Sequence, residues 1–469
     1  MLTKTGDTIC AVSTAPGTGA VAIIRISGPA ALEVIGDIFT KSGQTEKINA
    51  NRLSALPSHT VHHGTIGEPG KILDDVLVTL FRAPHSYTGE EVIEISVHGS
   101  LYIQQQVIHL LMNKGIRLAQ PGEFTLRAFM NGKFDLSQAE AVADLIAAGS
   151  STSHDMAINQ LRGGVSKIIA GLRKKLIDFT SLIELELDFS EEHVEFASRP
   201  DLVSLLNEMD EELTRLIHSF AIGNAIKQGI QVAITGKPNV GKSTLLNTIL
   251  NEERAIVSEI PGTTRDAIED TIVLGGYRFR FIDTAGLHDT DDVIETLGIE
   301  RTRDKIREAS IILYIFDASS ESWQDVAEAI EEFSDWVSVD NKKLILIGNK
   351  TDMLSELPHG FKDFVEHETI FVSAKRKENI DLIAESLLRT VKSENITDAT
   401  LVSSTRHLQA LQQAHTSVQT IRKGLADSLS PDLLTIDIRN ALYYLGEITG
   451  EITTDEILGN IFSRFCIGK

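Results

Sequence analysis

The period of the apolar positions changes along the chain. Up to about residue 130, short runs rich in β-branched residues (VAIIRIS at 21–27, LVTLF at 77–81, VIEISVH at 92–98) are separated by Gly and Pro turns and predict strands. LYIQQQVIHLLMNKG at 101–115 has helical spacing and stops at Gly115. From about 133 to 222 the spacing becomes three and four residues, through SQAEAVADLIAAG, HDMAINQLRGGVSKIIAGLRKKLIDFTSLIELELDF and SRPDLVSLLNEMDEELTRLIHSF. The same texture returns after about 400, in STRHLQALQQAHTSVQTIRKGLA, in SPDLLTIDIRNALYYLGEITG with Ser430 as cap and Pro431 at the first helical position, and in TTDEILGNIFSRF. Between about 226 and 390 strands alternate with helices, the signature of a parallel sheet.

The order predicts a multidomain chain of α/β and α parts. An N-terminal α+β domain spans 1–132, a first helical part 133–225, an α/β domain 226–390, and a second helical part 391–469. The α/β domain is read as an insertion into one helical domain made of two separated segments; two independent helical domains are the alternative.

Composition narrows the class. Apolar content of 42% and charged content of 23% are ordinary for a soluble globular protein. With 44 Lys and Arg against 66 Asp and Glu, the net charge is −22, which disfavours unaided, non-specific binding of nucleic acid. Cys10 and Cys466 stand at opposite ends of the chain, without zinc-site spacing, and fit a reducing cytoplasm. No stretch is apolar enough for a signal peptide or a membrane span, so no membrane association is expected.

The candidate chemistry lies in the α/β segment. In IQVAITGKPNVGKST, a strand leads into a G-x-x-x-x-G-K-[ST] loop from Gly236 to Ser243, with Asn239, Val240, Gly241, Lys242, Ser243 and Thr244 facing a triphosphate. The loop amides and the next helix N-terminus favour the anion, Lys242 reaches the β- and γ-phosphates, and Ser243 ligates Mg²⁺. DTAG follows the strand RFRFI: Asp283 belongs on Mg²⁺ through the shell of the ion, Thr284 and Ala285 line the nucleotide, the Gly286 N–H senses the γ-phosphate, and Thr263 and Thr264 in PGTTRD supply the other switch. In NKTD, Asn349, Lys350 and Asp352 read a guanine, whose N1–H and exocyclic amine form a donor pair that adenine lacks, and Ser373, Ala374 and Lys375 close over it. These parts, in this order and each behind a strand, predict a Ras-like P-loop domain that binds and hydrolyses GTP.

Two departures carry mechanism. Ras-like enzymes place a water-positioning Gln after DTAG; here Leu287 stands there, so either hydrolysis is slow or another polar residue orients water, and the nearby run HDTDDVIETLG is rich in carboxylates. That run also reads as a merely solvated loop. No arginine finger is evident in cis, and Asn239 can instead hold a monovalent cation against the phosphates.

With Asn239, Leu287, Glu295 and the tail FCIGK together, the chain resembles the MnmE/TrmE family of tRNA-modification GTPases over its whole length. Its most specific marks are GAVAIIRISGP, SYTGEEVIEISVHG, PGEFTLRAFMNGKFDLSQAEAVADLI and GEITGE. The resemblance implies K⁺ held by Asn239, Ser258, Ile260 and Thr263, Mg²⁺ held by Ser243 and Thr264, and water oriented by Glu295. It implies an N-terminal domain that forms a homodimer and binds 5-formyltetrahydrofolate or another one-carbon tetrahydrofolate through Arg25, Glu94, Lys133 and Lys469. It further implies an FAD-dependent partner of the GidA/MnmG family, forming a heterotetramer that adds a (carboxymethyl)aminomethyl group to C5 of the wobble uridine of certain tRNAs. His288 stands where an Arg is common in the family, and Ser258 where a Thr is.

Cys466, near the implied folate site, reads equally as a nucleophile toward uridine C6 and as a small tail residue. His59, His62 and His63 read as a metal cluster or, more simply, as solvent-facing. The rival to the tRNA-modifying reading is a ribosome-assembly or other regulatory GTPase acting as a binding switch. Such factors carry a basic RNA-binding domain, and none is visible.

Overall fold

The computed structural model describes residues 6–43, 53, 55–68, 70–188, 198–253, 270–283, 307–331, 333, 342–356, 367–392, 400–427, 429–463 and 465–468. The chain forms two compact units: one of residues 1–143, 160–213 and 409–469, the other of residues 144–159 and 214–408.

The first unit opens with β1 (Ile9–Val12), β2 (Val21–Ser27), helix α1 (Ala31–Ile38), β3 (Phe39–Lys41), β4 (Thr60–Glu68), β5 (Lys71–Phe81) and β6 (Val92–His98). Helix α2 (Leu101–Asn113), β7 (Arg117–Leu118) and α3 (Glu123–Met130) follow. The sheet order is β3-β4-β5-β6-β2-β1-β7, antiparallel except for the β1–β7 pair. The runs at 21–27 and 92–98 are strands as their alternation predicts, and 77–81 is the end of the longer β5. One sheet face is buried, with Ile24, Ile26, Val76, Val78, Leu80, Ile93 and Ile95 in one core with α1 and α2. Helix α2 ends at Asn113, just before the Gly115 stop signal.

Next along the chain come α4 (Leu136–Ala147), α5 (Ser151–Leu161), α6 (Gly164–Asp188) and α7 (Arg199–Gln228), of which residues 144–159 and those from 214 onward belong to the second unit. The apolar periodicity through 154–189 reads as one run, but the helix breaks at Arg162 and Gly163, where the Gly163 N–H turns back to Gln160 O at 2.9 Å. After the second unit's elements, α11 (Thr405–Ala426), α12 (Pro431–Thr449) and α13 (Asp455–Phe462) complete the helical part, with Ser430 at the α12 cap and Pro431 in its first turn.

Distant segments meet in this unit. Asp210 of α7 takes Arg422 and His415 of α11 at 2.8 Å each. Arg173 of α6 pairs with Glu451 beyond α12. Leu126, Leu136 and Ala139 share an apolar cluster with Leu458, Phe462 and Phe465, which seats the C-terminal tail against α3.

The second unit holds β8 (Ile230–Thr235), α8 (Lys242–Glu253), β9 (Asp270–Leu274), β10 (Tyr277–Asp283), β11 (Ile311–Asp317), α9 (Trp323–Glu331), β12 (Lys343–Asn349), β13 (Glu368–Phe371) and α10 (Ile380–Lys392). Its sheet order is β13-β12-β11-β8-β10-β9, parallel but for the β9–β10 hairpin. Strands β11 and β12 are buried almost throughout, as strands covered on both faces must be, which explains their continuous apolar runs. In such a sheet the loops at the carboxyl ends of the strands form the ligand crevice.

Among the described residues no helix is long and apolar enough to cross a membrane. The three histidines of β4 and its approach go to separate partners: His59 to Ser58 Oγ at 2.8 Å, His62 to Thr60 Oγ1 at 2.9 Å, and His63 beside Asp75 at 4.0 Å.

Candidate functional site

Four strands of the second unit end in residues that the sequence singles out. Strand β8 leads into Gly236–Ser243, β10 ends at Asp283, β12 ends at Asn349, and β13 leads to Ser373. The parallel register places all four ends along one edge.

The phosphate loop is shaped by close backbone approach. Gly236 has φ 144° and a Cβ there would overlap Ile315 O on β11, while Gly241 has φ 99° and a Cβ would strike Asn349 Nδ2. Both positions therefore exclude side chains. Asn239 sits between them with φ 62°, exposed, at the turn of the loop. Lys242 begins α8, and its ammonium donates to Gly236 O at 2.8 Å and Lys237 O at 2.9 Å, so it arches over the loop it closes. Ser243 and Thr244 stand exposed in the first turn, where free helix N–H groups and the dipole favour an anion. Val240 is buried and anchors the loop in the core under the sheet.

The segments expected to read the base converge through one buried amide. Asn349, 3% exposed, donates from Nδ2 to Val240 O at 2.8 Å and accepts from Ala374 N at Oδ1 at 3.0 Å. Its side chain thus joins three loops, and both ends of its amide are engaged with protein. Thr248 Oγ1 donates to Ala374 O at 3.2 Å, a second tie from α8 that the sequence did not signal. Ser373, fully buried, donates its hydroxyl to Asp352 Oδ1 at 2.8 Å and accepts from Arg376 N at 3.1 Å. One Asp352 oxygen is so fixed, and the carboxylate is aimed. Lys350 adopts φ 66° and its ammonium meets Asp317 Oδ2 at 2.7 Å. Burial alone would raise the Asp317 carboxyl, but bonds from Lys350 and Ser319 outweigh it and hold it below the ordinary carboxylate range. Lys375 is exposed beside Ala374.

Ser258, Ile260, Thr263, Thr264, Thr284, Ala285, Gly286, Leu287, His288, Glu295 and Lys469 lie outside the described residues.

A second cluster lies on the sheet of the first unit. Arg25 on β2 faces Glu94 on β6 across the register, with Nε–Oε1 at 2.9 Å. The Arg25 guanidinium stacks over Tyr87 at 5.1 Å and Phe124 at 5.6 Å from the ring centroids. Burial pushes the Tyr87 phenol up, and its hydroxyl is bonded to Thr125 Oγ1 at 2.9 Å. Lys133 is exposed, where the chain turns after α3. The C-terminal tail docks on the same domain: Ser13 Oγ donates to Gly468 O at 3.1 Å and Gly122 N to Cys466 O at 3.4 Å, with the Cys466 side chain exposed.

A glycine loop closed by a lysine, followed by a carboxylate held by a buried serine beneath it, defines a P-loop GTPase. Residues 136–466 match the family model of the MnmE helical domain, and residues 8–133 match that of the GTP-binding protein TrmE N-terminus. The chain is 51% identical over 467 residues to the tRNA modification GTPase MnmE of Flavobacterium psychrophilum, covering 99% of each chain. It is 49% identical to the protein of the same description from Christiangramia forsetii, covering 99% of this chain and 100% of that one. The chain belongs to the MnmE family of tRNA modification GTPases. The FeoB G-domain of Methanococcus jannaschii is 22% identical over 35% of this chain and 98% of its own, with a TM-score of 0.26, and bears no weight at that score.

Proposed function

We propose that this GTPase is K⁺-stimulated and Mg²⁺-dependent, and that its cycle gates modification of C5 of the wobble uridine in certain tRNAs. Membership in a tRNA-modifying family supports the substrate class. The single observation that carries the nucleotide reading is the Asn349 amide, because it locks the phosphate loop and the base loops into one crevice. In that crevice Lys242 and the loop amides meet the triphosphate, and Asp352 accepts from the N1–H and amine of guanine.

Ser243, exposed at the start of α8, would hold Mg²⁺ with Thr264, and Asn239, exposed in the loop, would hold a monovalent cation with Ser258, Ile260 and Thr263 to balance transition-state charge. Glu295 would orient the attacking water in place of the Gln that Leu287 replaces. The Arg25–Glu94 pair beside Tyr87, together with Lys133 and Lys469, would take a one-carbon tetrahydrofolate: cations for its glutamate, a carboxylate and aromatic rings for its pterin. The exposed Cys466 is offered as a nucleophile toward uridine C6. The domain reading of 1–132, 133–225, 226–390 and 391–469, the homodimer, the FAD-dependent partner and the cytoplasmic setting belong to the same proposal. The net charge of −22 favours a partner that supplies most tRNA affinity.

The test is mass spectrometry of tRNA nucleosides from cells with and without this protein. Loss of the C5-modified uridine supports the reading. An unchanged nucleoside profile alongside defective ribosomal subunits would favour the binding-switch alternative.

A further inference from the structure

The phosphate loop carries a second lysine, Lys237, for which the triphosphate reading has no role. Its Nζ lies 2.8 Å from Glu321 Oε2. The other oxygen of Glu321 accepts the Asp317 backbone N–H at 2.9 Å. Asp317 ends β11, its Oδ2 meets Lys350 Nζ at 2.7 Å, and its Oδ1 accepts from Ser319 N at 3.0 Å and Ser319 Oγ at 2.6 Å. A continuous line of contacts therefore runs Lys237–Glu321–Asp317–Lys350, from the start of the phosphate loop to the base-reading segment. It is separate from the Asn349–Val240 link at the other end of that loop.

Exposed ion pairs contribute little, and Lys237, with half its side chain in water, would by itself be such a case. The two carboxylates are different: the Glu321 side chain is 9% exposed and that of Asp317 14%. A carboxylate so withdrawn from water depends on its partners, and losing one costs more than an exposed pair would contribute. The bond to Glu321 also holds the Lys237 ammonium above its ordinary range.

We infer that Glu321 and Asp317 are positioning residues for guanine nucleotide: they couple the phosphate loop to segment 349–352 by holding a lysine from each. They act through Lys237 and Lys350, so their loss loosens nucleotide without disabling chemistry. The inference rests on the guanine-site reading above.

The test uses the full chain and GDP carrying a fluorescent ribose label. Glu321→Gln keeps an acceptor for the Asp317 N–H but removes the charge facing Lys237, and Asp317→Asn removes the charge facing Lys350. Each should speed GDP release about tenfold, with kcat at saturating GTP within about twofold of the parent. The double variant should release no faster than the faster single, because both cut one line of contacts. Unchanged release in either single variant overturns the inference. So does a double variant whose effect is the product of the singles, or a fall in kcat that matches the loss of affinity. Failure of the parent chain to retain GDP would instead sink the guanine-site reading itself.

Discussion

The hydroxyl of Ser373 donates to Asp352 Oδ1 at 2.8 Å, and Ser373 is fully buried while Asp352 is half-exposed. The serine lies under the carboxylate and fixes its direction. Ser373→Ala should therefore weaken GTP binding about tenfold, the cost of freeing one charge-assisted hydrogen bond, with little change in kcat. Asp352→Asn should shift preference toward xanthosine nucleotides, because an amide meets a changed base edge. Titration with GDP and xanthosine diphosphate checks both; undiminished GDP affinity in Asp352→Asn would remove it from base reading.

Asn349→Ala would leave the Val240 carbonyl and the Ala374 N–H without a buried partner. Each orphaned group costs about 1–3 kcal/mol. The expected result is a lower melting temperature together with loss of nucleotide affinity, measured by calorimetry with and without GDP. A variant that kept both would show that the amide does not hold the crevice together.

Replacing Na⁺ by K⁺ should raise GTP turnover about tenfold or more, since the proposed cation would supply the charge that an arginine supplies elsewhere. Asn239→Ala should abolish the difference between the two salts. Equal rates in both salts for the parent chain would defeat the cation proposal.

Glu295→Ala should lower kcat by about a hundredfold while GTP affinity stays nearly intact, the pattern of a group that acts only in the transition state. Unchanged turnover would assign the water to another residue.

An ionic cluster in the first unit predicts acid sensitivity. Glu123 accepts from Arg117 at 2.6 Å and from Arg127 at 3.1 Å, and Asp7 meets Arg117 at 2.9 Å and Arg127 at 2.5 Å. Burial works to raise both carboxyls, but the arginines, and Gln120 N for Glu123, prevail and hold both below their ordinary values of 4.5 and 3.8. A depressed folded value means stability that is complete above the unfolded value and lost as pH falls through the folded one. Stability should thus be flat near neutrality and decline below about pH 4.5. Glu123→Gln should unfold more easily at pH 7 but show a shallower acid decline, read from denaturant midpoints at several pH values. Parallel curves for the two proteins would place the acid sensitivity elsewhere.

Much of this was legible from local pattern. The strands at 21–27 and 92–98, the Ser430 cap, the glycine loop and the short motifs behind strands β8, β10, β12 and β13 are each written in a few consecutive residues. Local spacing suffices there because backbone geometry and phosphate recognition act over one turn or one loop. The break at Gly163 was missed, since apolar period alone continues across it.

What the sequence by itself determined is the chemical inventory: a P-loop, the NKTD and SAK segments behind their strands, and the family-specific segments of both ends. Tertiary structure alone decided which of these residues bind each other. Asn349, 109 positions from Val240, is a tie between loops; Glu321 and Asp317, silent in any motif, link two lysines; and Gly468 reaches Ser13 across 455 positions. The reason is physical. Hydrogen bonds and ion pairs between distant segments depend on which strand ends the sheet brings to a common edge, and on how far each side chain is withdrawn from water, and neither quantity is carried by local spacing.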